Sequence, residues 1–300
     1  MTGNITLDTT VRELARHPAF TGFGQLLLPR PEQALDSMPL RDAALLMPLH
    51  RHVQPKAIVS ALNGMLLARA AGARIFYPLT DDTRAAPGLF FFRGRPSAPF
   101  ALICPGGGFA YVGALHGGFP LATEINRLGY NAFVLRYRIG GEGVACQDLA
   151  TALGWIFTHA QALGVCREGY SLWGGSAGGR MAVLLGTHGP KRYGGTDLPR
   201  PTAVILAYTA SGECGPGTPP TYAVIGARDH KATIQAMERR TLALRGLGID
   251  ADFHVLPGVG HGFGSAEGTS AQGWLERAVC FWQAHLQRRC GRLYSPSHLA

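Results

Sequence analysis

Lysine is nearly absent from this chain of 300 residues: Lys56, Lys191 and Lys231 are its only lysines, so arginine carries almost all of the net charge of +9. The arginines are spread along the chain, with only small clusters such as Arg84, Arg93, Arg95 and Arg288, Arg289, Arg292. Without a basic tract or a recognisable module, nucleic-acid binding is not expected, although the charge suits anionic substrates. No apolar run approaches the roughly 18 residues that a membrane span requires, so no membrane partner is expected either. Met1–Thr10 lacks both a basic stretch and an apolar stretch of the kind that directs export, and a cytoplasmic protein is expected. The six cysteines form no C-x-x-C pair, which argues against a zinc site or a compact disulfide framework and leaves mostly reduced thiols as the expectation. H-E-x-x-H is missing, and His50 and His52 have no nearby cysteine or acidic partner. No metal and no cofactor is therefore expected.

What is present describes a globular chain: 46% hydrophobic and 16% charged residues, long enough to bury a large core. From Arg74 onward, β-type apolar runs alternate with helical patterns, the signature of a mainly parallel sheet flanked by helices. Strands are expected at Arg74–Tyr77, Leu89–Phe92, Ala101–Cys104, Asn131–Tyr137, Tyr170–Trp173, Thr202–Tyr208, Tyr222–Ile225 and Asp252–Leu256. Between them, Leu121, Ile125 and Leu128 mark one helix. Leu149, Leu153, Ile156, Phe157 and Leu163 mark a second, with Asp148 read as its acidic start. Met181, Val183, Leu184 and Leu185 mark a third, Ile234, Met237, Leu242 and Leu244 a fourth, and Trp274–Leu286 the last. Residues 71–290 form the expected catalytic domain, preceded by a partly helical extension over 1–70 and followed by a tail over 291–300. Ala57, Val59, Leu62 and Leu66 suggest a helix in the extension, for which packing on the sheet edge, roofing the active site and forming a homo-oligomer interface all remain open.

Two glycine-rich stretches follow expected strands: Pro105-Gly106-Gly107-Gly108-Phe109 and Gly174-Gly175-Ser176-Ala177-Gly178. The second fits G-x-S-x-G, in which a strained strand-to-helix turn raises a serine and small neighbours let the two backbones pass closely. The first offers backbone N–H groups. A raised nucleophile and preorganised donors for a developing oxyanion are what acyl transfer requires.

Serine is a weak nucleophile without a base, and the base needs an orienting carboxylate. His261, in Gly260-His261-Gly262-Phe263 after the last expected strand, is the candidate base. Asp229, in the loop after Tyr222–Ile225, is the candidate acid because it lies between serine and histidine in chain order, with Glu213 its main competitor. Gly107, Gly108 and Ala177 are the candidate oxyanion donors, and Phe109, His116 and Gly175 candidates for substrate contact. Arg136, Tyr137, Arg138 and Arg180 stand near the same loops. The connection Tyr208–Thr221 is too short for a large lid.

With these residues in place, the chain resembles the α/β-hydrolase superfamily, and within it the acetyl-esterase and lipase branch that includes bifunctional feruloyl and acetylxylan esterase-like proteins. The resemblance runs from about Arg74 to Leu286 and rests on the two glycine motifs, Asp229 and His261. It implies an α/β-hydrolase fold, a triad of Ser176, Asp229 and His261, no cofactor, and a small-molecule ester as substrate. One departure stands out: Pro105 occupies the position where the family's loop has histidine. The expectation is a serine carboxylesterase for short acyl esters such as acetylated sugars or small metabolites. An amidase or formamidase, a peptidase or an acyltransferase would use the same triad, and a non-catalytic binding protein could share the fold.

Overall fold

A computed structural model describes residues 3–30, 37–82 and 86–293. The expected tail lies outside the described residues from 294 onward, as does Arg84.

The strands are β1 (Phe76–Pro78), β2 (Gly88–Phe92), β3 (Phe100–Cys104), β4 (Asn131–Arg136), β5 (Ser171–Gly175), β6 (Ala203–Ala207), β7 (Thr221–Gly226) and β8 (Ala251–Leu256). They form one sheet in the order β1-β2-β4-β3-β5-β6-β7-β8. The β1–β2 and β2–β4 pairs are antiparallel and every other pair is parallel. Strands β3, β4, β6 and β7 are buried along their whole length, which is why they read as continuous apolar runs rather than alternating ones.

The helices are α1 (Val11–Arg16), α2 (Pro55–Ala70), α3 (Ala114–Gly117), α4 (Phe119–Arg127), α5 (Glu142–Leu163), α6 (Ala177–His188), α7 (Ile234–Gly246) and α8 (Trp274–Leu293). Helix α4 packs on α8, and α5 on α6. Aromatic rings fill the space beside the sheet: Phe91 stacks on Phe133 at 4.2 Å, and Phe100 on Tyr170 at 5.4 Å. The first seventy residues share this core. Val11, Leu14, Phe20, Leu26, Leu27 and Leu40 are buried in one cluster with the sheet residues, and Phe23 stacks on Phe76 at 4.8 Å.

Three local expectations need correction. Helix α5 begins at Glu142, so Asp148 is not its start but lies buried within it. There the carboxylate accepts the Arg138 backbone N–H at 2.7 Å and the Arg138 guanidinium at 2.6 and 3.0 Å, fixing the turn after β4. In α7 the buried stripe is Met237, Arg240, Thr241 and Leu244, while Leu242 is exposed. A buried arginine in this stripe hid the true face from a hydrophobic periodicity. In α2 the buried stripe runs through Ala57, Ile58, Ala61, Leu62 and Met65, with Val59 and Leu66 at its margins.

Removing the Asp148 carboxylate leaves a backbone donor and a guanidinium edge unsatisfied. Because Arg138 is half exposed and partly screened, Asp148→Ala is expected to cost about 2 kcal/mol rather than the 3–5 of a fully buried pair. Urea unfolding with an unchanged slope and a lowered midpoint would show it; a change under about 0.5 kcal/mol would refute the role of this clamp.

Candidate active site

Strand β5 runs into α6 through Ser176, whose φ of +53° and ψ of −121° leave the ordinary regions for a residue with a side chain. The turn tolerates this because its neighbours have no side chains. A Cβ on Gly174 would overlap the Gly178 carbonyl, and one on Gly178 would overlap the Cys104 carbonyl at the end of β3. Ser176 is tied down by its own N–H to the Ala207 carbonyl at 3.0 Å and by its carbonyl, which accepts from Arg180 at 3.1 Å. Ala177 opens α6, so its N–H has no acceptor within the helix and stands at the positive end of the helix dipole.

Ser176 Oγ lies 2.9 Å from His261 Nε2, and His261 Nδ1 lies 2.9 and 3.1 Å from the two carboxylate oxygens of Asp229. Asp229 Oδ1 also accepts the N–H groups of Lys231 at 2.8 Å and Ala232 at 2.9 Å. Burial acts to raise the Asp229 pKa, but the His261 hydrogen bond, these two backbone donors and the His261 charge together hold it below the ordinary carboxylate value. An ionised Asp229 takes the Nδ1 proton as a hydrogen bond, leaving Nε2 as the lone pair that faces the serine hydroxyl. Glu213, the competing acid, lies elsewhere, 3.3 Å from His188.

These groups face an open cavity of about 470 Å³, whose walls include Gly108, Ala177, Tyr208–Ser211, Lys231 and Leu49. Gly108 is exposed at this wall, with Gly107 buried just behind it at a φ of +139°. The carbonyl of Gly107 accepts the N–H groups of Ala110 at 3.1 Å and Tyr111 at 3.2 Å, which folds the loop back on itself. Gly175 touches the cavity indirectly: a Cβ there would lie 2.7 Å from the ring of Tyr208. Phe109 is half-buried against Tyr137 and is not a lining residue. His116 corrects the sequence expectation, because it is fully covered and donates through Nε2 to the Gly262 carbonyl at 2.9 Å instead of facing substrate. At Pro105, the Tyr137 hydroxyl donates to the backbone carbonyl at 2.8 Å. Arg136 turns away, donating to the Pro29 carbonyl at 3.1 Å, while Arg180 lines the cavity and pairs with Glu142.

The extension contributes residues that sequence reasoning missed. Leu49 forms part of the cavity wall, the Arg51 N–H donates to the His261 carbonyl at 3.0 Å, and the Gly260 N–H donates to His52 Nε2 at 3.3 Å. Behind this strap, His50 Nδ1 lies 2.8 Å from the Tyr111 hydroxyl, and the His50 ring meets that of His116 edge-on at 5.5 Å. No spacing rule points from residues 49–52 to a loop near position 261. Tyr208 was also missed as a wall. Its ring stands edge-on to His261 at 5.1 Å and to Phe263 at 4.7 Å, and its φ of +41° turns it in from the end of β6.

Among the described residues, no group of histidine, cysteine and acidic side chains could hold a metal ion, and no helix is long and apolar enough to cross a membrane. Cys104, Cys146, Cys166, Cys214 and Cys280 are unpaired.

A protein-family model described as BD-FAE matches residues 96–199. Over 132 residues the chain is 26% identical to an acetylxylan esterase of Xylanibacter ruminicola, a match that takes in 43% of this chain and spans only 26% of that relative's length. Among solved structures, an acetyl ester-xyloside bifunctional hydrolase from Caldicellulosiruptor lactoaceticus superposes with a TM-score of 0.60 at 20% identity, covering 70% of this chain and 95% of the other. An esterase from Thermogutta terrifontis with propionate bound gives 0.60 at 19%, over 70% and 93%. MGS-M1, an α/β-hydrolase enzyme from a deep-sea metagenome, gives 0.60 at 21%, over 71% and 97%. The fold is therefore that of the α/β-hydrolases, without a large lid among the described residues, and the expected resemblance to their acetyl-esterase branch holds.

Burial pushes the His116 pKa from the ordinary 6.5 down to about 4, opposed by the Gly262 hydrogen bond and assisted by the nearby His52. Burial, with His116 and His261 close by, also holds His50 well below its usual value. Between about pH 4 and 6.5 an unfolded chain binds protons that these buried rings refuse, so folding stability falls as pH drops through that window. His116→Gln keeps a donor for Gly262 and is expected to flatten the stability–pH slope by up to about 1.4 kcal/mol per pH unit. Denaturant titrations across the window would test this; an unaltered slope would remove His116 from the account.

Proposed function

We propose that this protein is a serine carboxylesterase that cleaves short-chain acyl esters through an acyl-enzyme, with Ser176 as nucleophile, His261 as general base and Asp229 as its orienting acid. The observation that carries the reading is the unbroken hydrogen-bond chain from Ser176 Oγ through His261 to Asp229, set at an open cavity on a strained turn. The names of the relatives support it, since they are acetylxylan and acetyl ester hydrolases and an esterase.

In this reading His261 Nε2 takes the Ser176 hydroxyl proton as Oγ attacks the ester carbonyl carbon. The N–H groups of Gly108 and Ala177, with Gly107 behind them, receive the negative charge that develops on the carbonyl oxygen. Collapse of the tetrahedral adduct breaks the bond to the alcohol, which leaves with the proton from His261. Water then gives a proton to the same nitrogen, attacks the acyl carbon and releases the acid with Ser176 restored. Asp229 remains ionised throughout, holding the Nδ1 proton and stabilising the imidazolium that forms in each half-reaction. Acetylated sugars and small acetylated metabolites are the proposed substrates, and the protein is proposed to work in the cytoplasm without a cofactor.

Labelling with a fluorophosphonate, read by mass, is expected to modify Ser176 in the wild type and nothing in Ser176→Ala, with loss of p-nitrophenyl acetate turnover by about 10⁴-fold or more. Labelling without ester turnover would favour the amidase, peptidase or acyltransferase use of the same groups. No labelling would favour a binding protein.

The segment between β6 and β7 carries no helix and leaves the cavity open, giving a long acyl chain little apolar cover. Acetyl and butyryl esters are expected to be cleaved faster than palmitoyl esters when kcat/KM is compared along a p-nitrophenyl series. A rise with chain length would contradict the short-chain assignment.

A further inference from the structure

The cavity over Ser176 is lined by two cationic side chains, Arg180 and Lys231, and by no acidic one. The Asp229 carboxylate is covered behind His261 and is held by that histidine and two backbone N–H groups, so it meets no occupant of the cavity directly. Arg180 is paired with Glu142, the first residue of α5, which lies outside the lining. Lys231 is different: its backbone N–H is committed to Asp229, while its exposed ammonium has no partner among the described residues. One of only three lysines in the chain thus stands at the mouth of the site.

The ground beneath the cavity wall has the same sign. Arg240 of α7 is buried under the segment that continues from Tyr208–Ser211, donating through Nε to the Glu213 carbonyl at 2.9 Å. Its Nη2 has no hydrogen-bond partner, and the Glu213 carboxylate faces His188 instead. Burial accordingly pulls the Arg240 pKa down to about 10, which leaves it charged at neutral pH. With Arg180 paired to Glu142 and Asp229 turned to His261, the Lys231 ammonium is the unpartnered charge that an occupant of the cavity can meet directly. Of the acetylated sugars and metabolites proposed above, a neutral one leaves that ammonium unused and an acidic one pairs with it.

We propose that the ester turned over at Ser176 carries a carboxylate remote from the scissile bond, and that Lys231, backed by Arg180, receives it. This rests on the hydrolase reading above and names its substrate class. A single negative charge fits better than a phosphate dianion, since Glu142 already offsets Arg180 and leaves one uncompensated cation in the lining. Lys231 then determines specificity while Ser176 and His261 do the chemistry.

The test uses full-length protein and two ester pairs: 4-acetoxybenzoate against phenyl acetate, with the charge on the leaving side, and monomethyl glutarate against methyl valerate, with the charge on the acyl side. At low ionic strength the anionic member of at least one pair is expected to have about tenfold the kcat/KM of its neutral partner, a preference weakened by salt. That ratio should fall close to one in Lys231→Met and persist in Lys231→Arg, with circular dichroism confirming that both variants are folded. Neutral esters turned over as well as their anionic partners in both pairs, or a preference unmoved by Lys231→Met, would overturn the proposal while leaving the hydrolase reading intact. Failure of every ester together with failure of fluorophosphonate to label Ser176 would instead bring down the hydrolase reading, and this proposal with it.

Discussion

Two glycines allow helix α6 to start almost in contact with the end of β3, and the site is built on that approach. A methyl group at Gly178 would push the helix from the Cys104 carbonyl and one at Gly174 would push it from the end of β5, and either would shift Ser176. The nearness has a conformational cost, visible in the positive φ of Ser176 and of order 1–3 kcal/mol for such a residue. It is offset locally by the Ala207 and Arg180 hydrogen bonds that grip the serine backbone, and globally by an α6 whose side chains Met181, Val183, Leu184 and Leu185 are all buried. Strain at Ser176 persists because the surrounding packing leaves it no relaxed alternative.

The histidine loop is held by a different device. His261 sits on a segment rich in glycine, which by itself would fix no imidazole in place. Its position comes from neighbours that grip the backbone: Arg51 on the carbonyl of His261, His52 on the N–H of Gly260 and His116 on the carbonyl of Gly262. Asp229 fixes the ring. Burial keeps the His116 ring uncharged, so it gives Gly262 a donor without burying a charge. The glycine loop on the other side is braced by the Tyr137 hydroxyl on the Pro105 carbonyl and has His50 packed beneath Gly113.

Much of this was legible in the sequence, and for physical reasons. Fully buried parallel strands announce themselves as unbroken apolar runs, and a strained turn that excludes side chains must be written in glycine. Chain order placed Asp229 and His261 at the ends of consecutive strands, where the sheet brings them beside Ser176. What stayed hidden depends on long-range contact. Nothing near Leu49, Arg51 or His52 marks them as neighbours of position 261, and His116 reads equally well as a wall or as a brace. Asp148 looked like a helix start because acids favour that position, whereas its actual partner is Arg138, ten residues back across a turn. Arg240 broke the periodicity of α7 because it is buried for its electrostatics and not for its apolarity.

The strap from the extension to the histidine loop joins residues 208 positions apart. A contact of that span closes late, after the intervening strands have paired, and it raises the contact order of the whole molecule. The apolar part of the extension can pack earlier, since Phe23 lies against Phe76 of β1 and Phe90 of β2, but the strap waits for the loop after β8. The histidine loop therefore takes its gripped form only when nearly the whole chain is in place, and a chain interrupted before its last strand holds the Ser176 turn without the His261 that faces it.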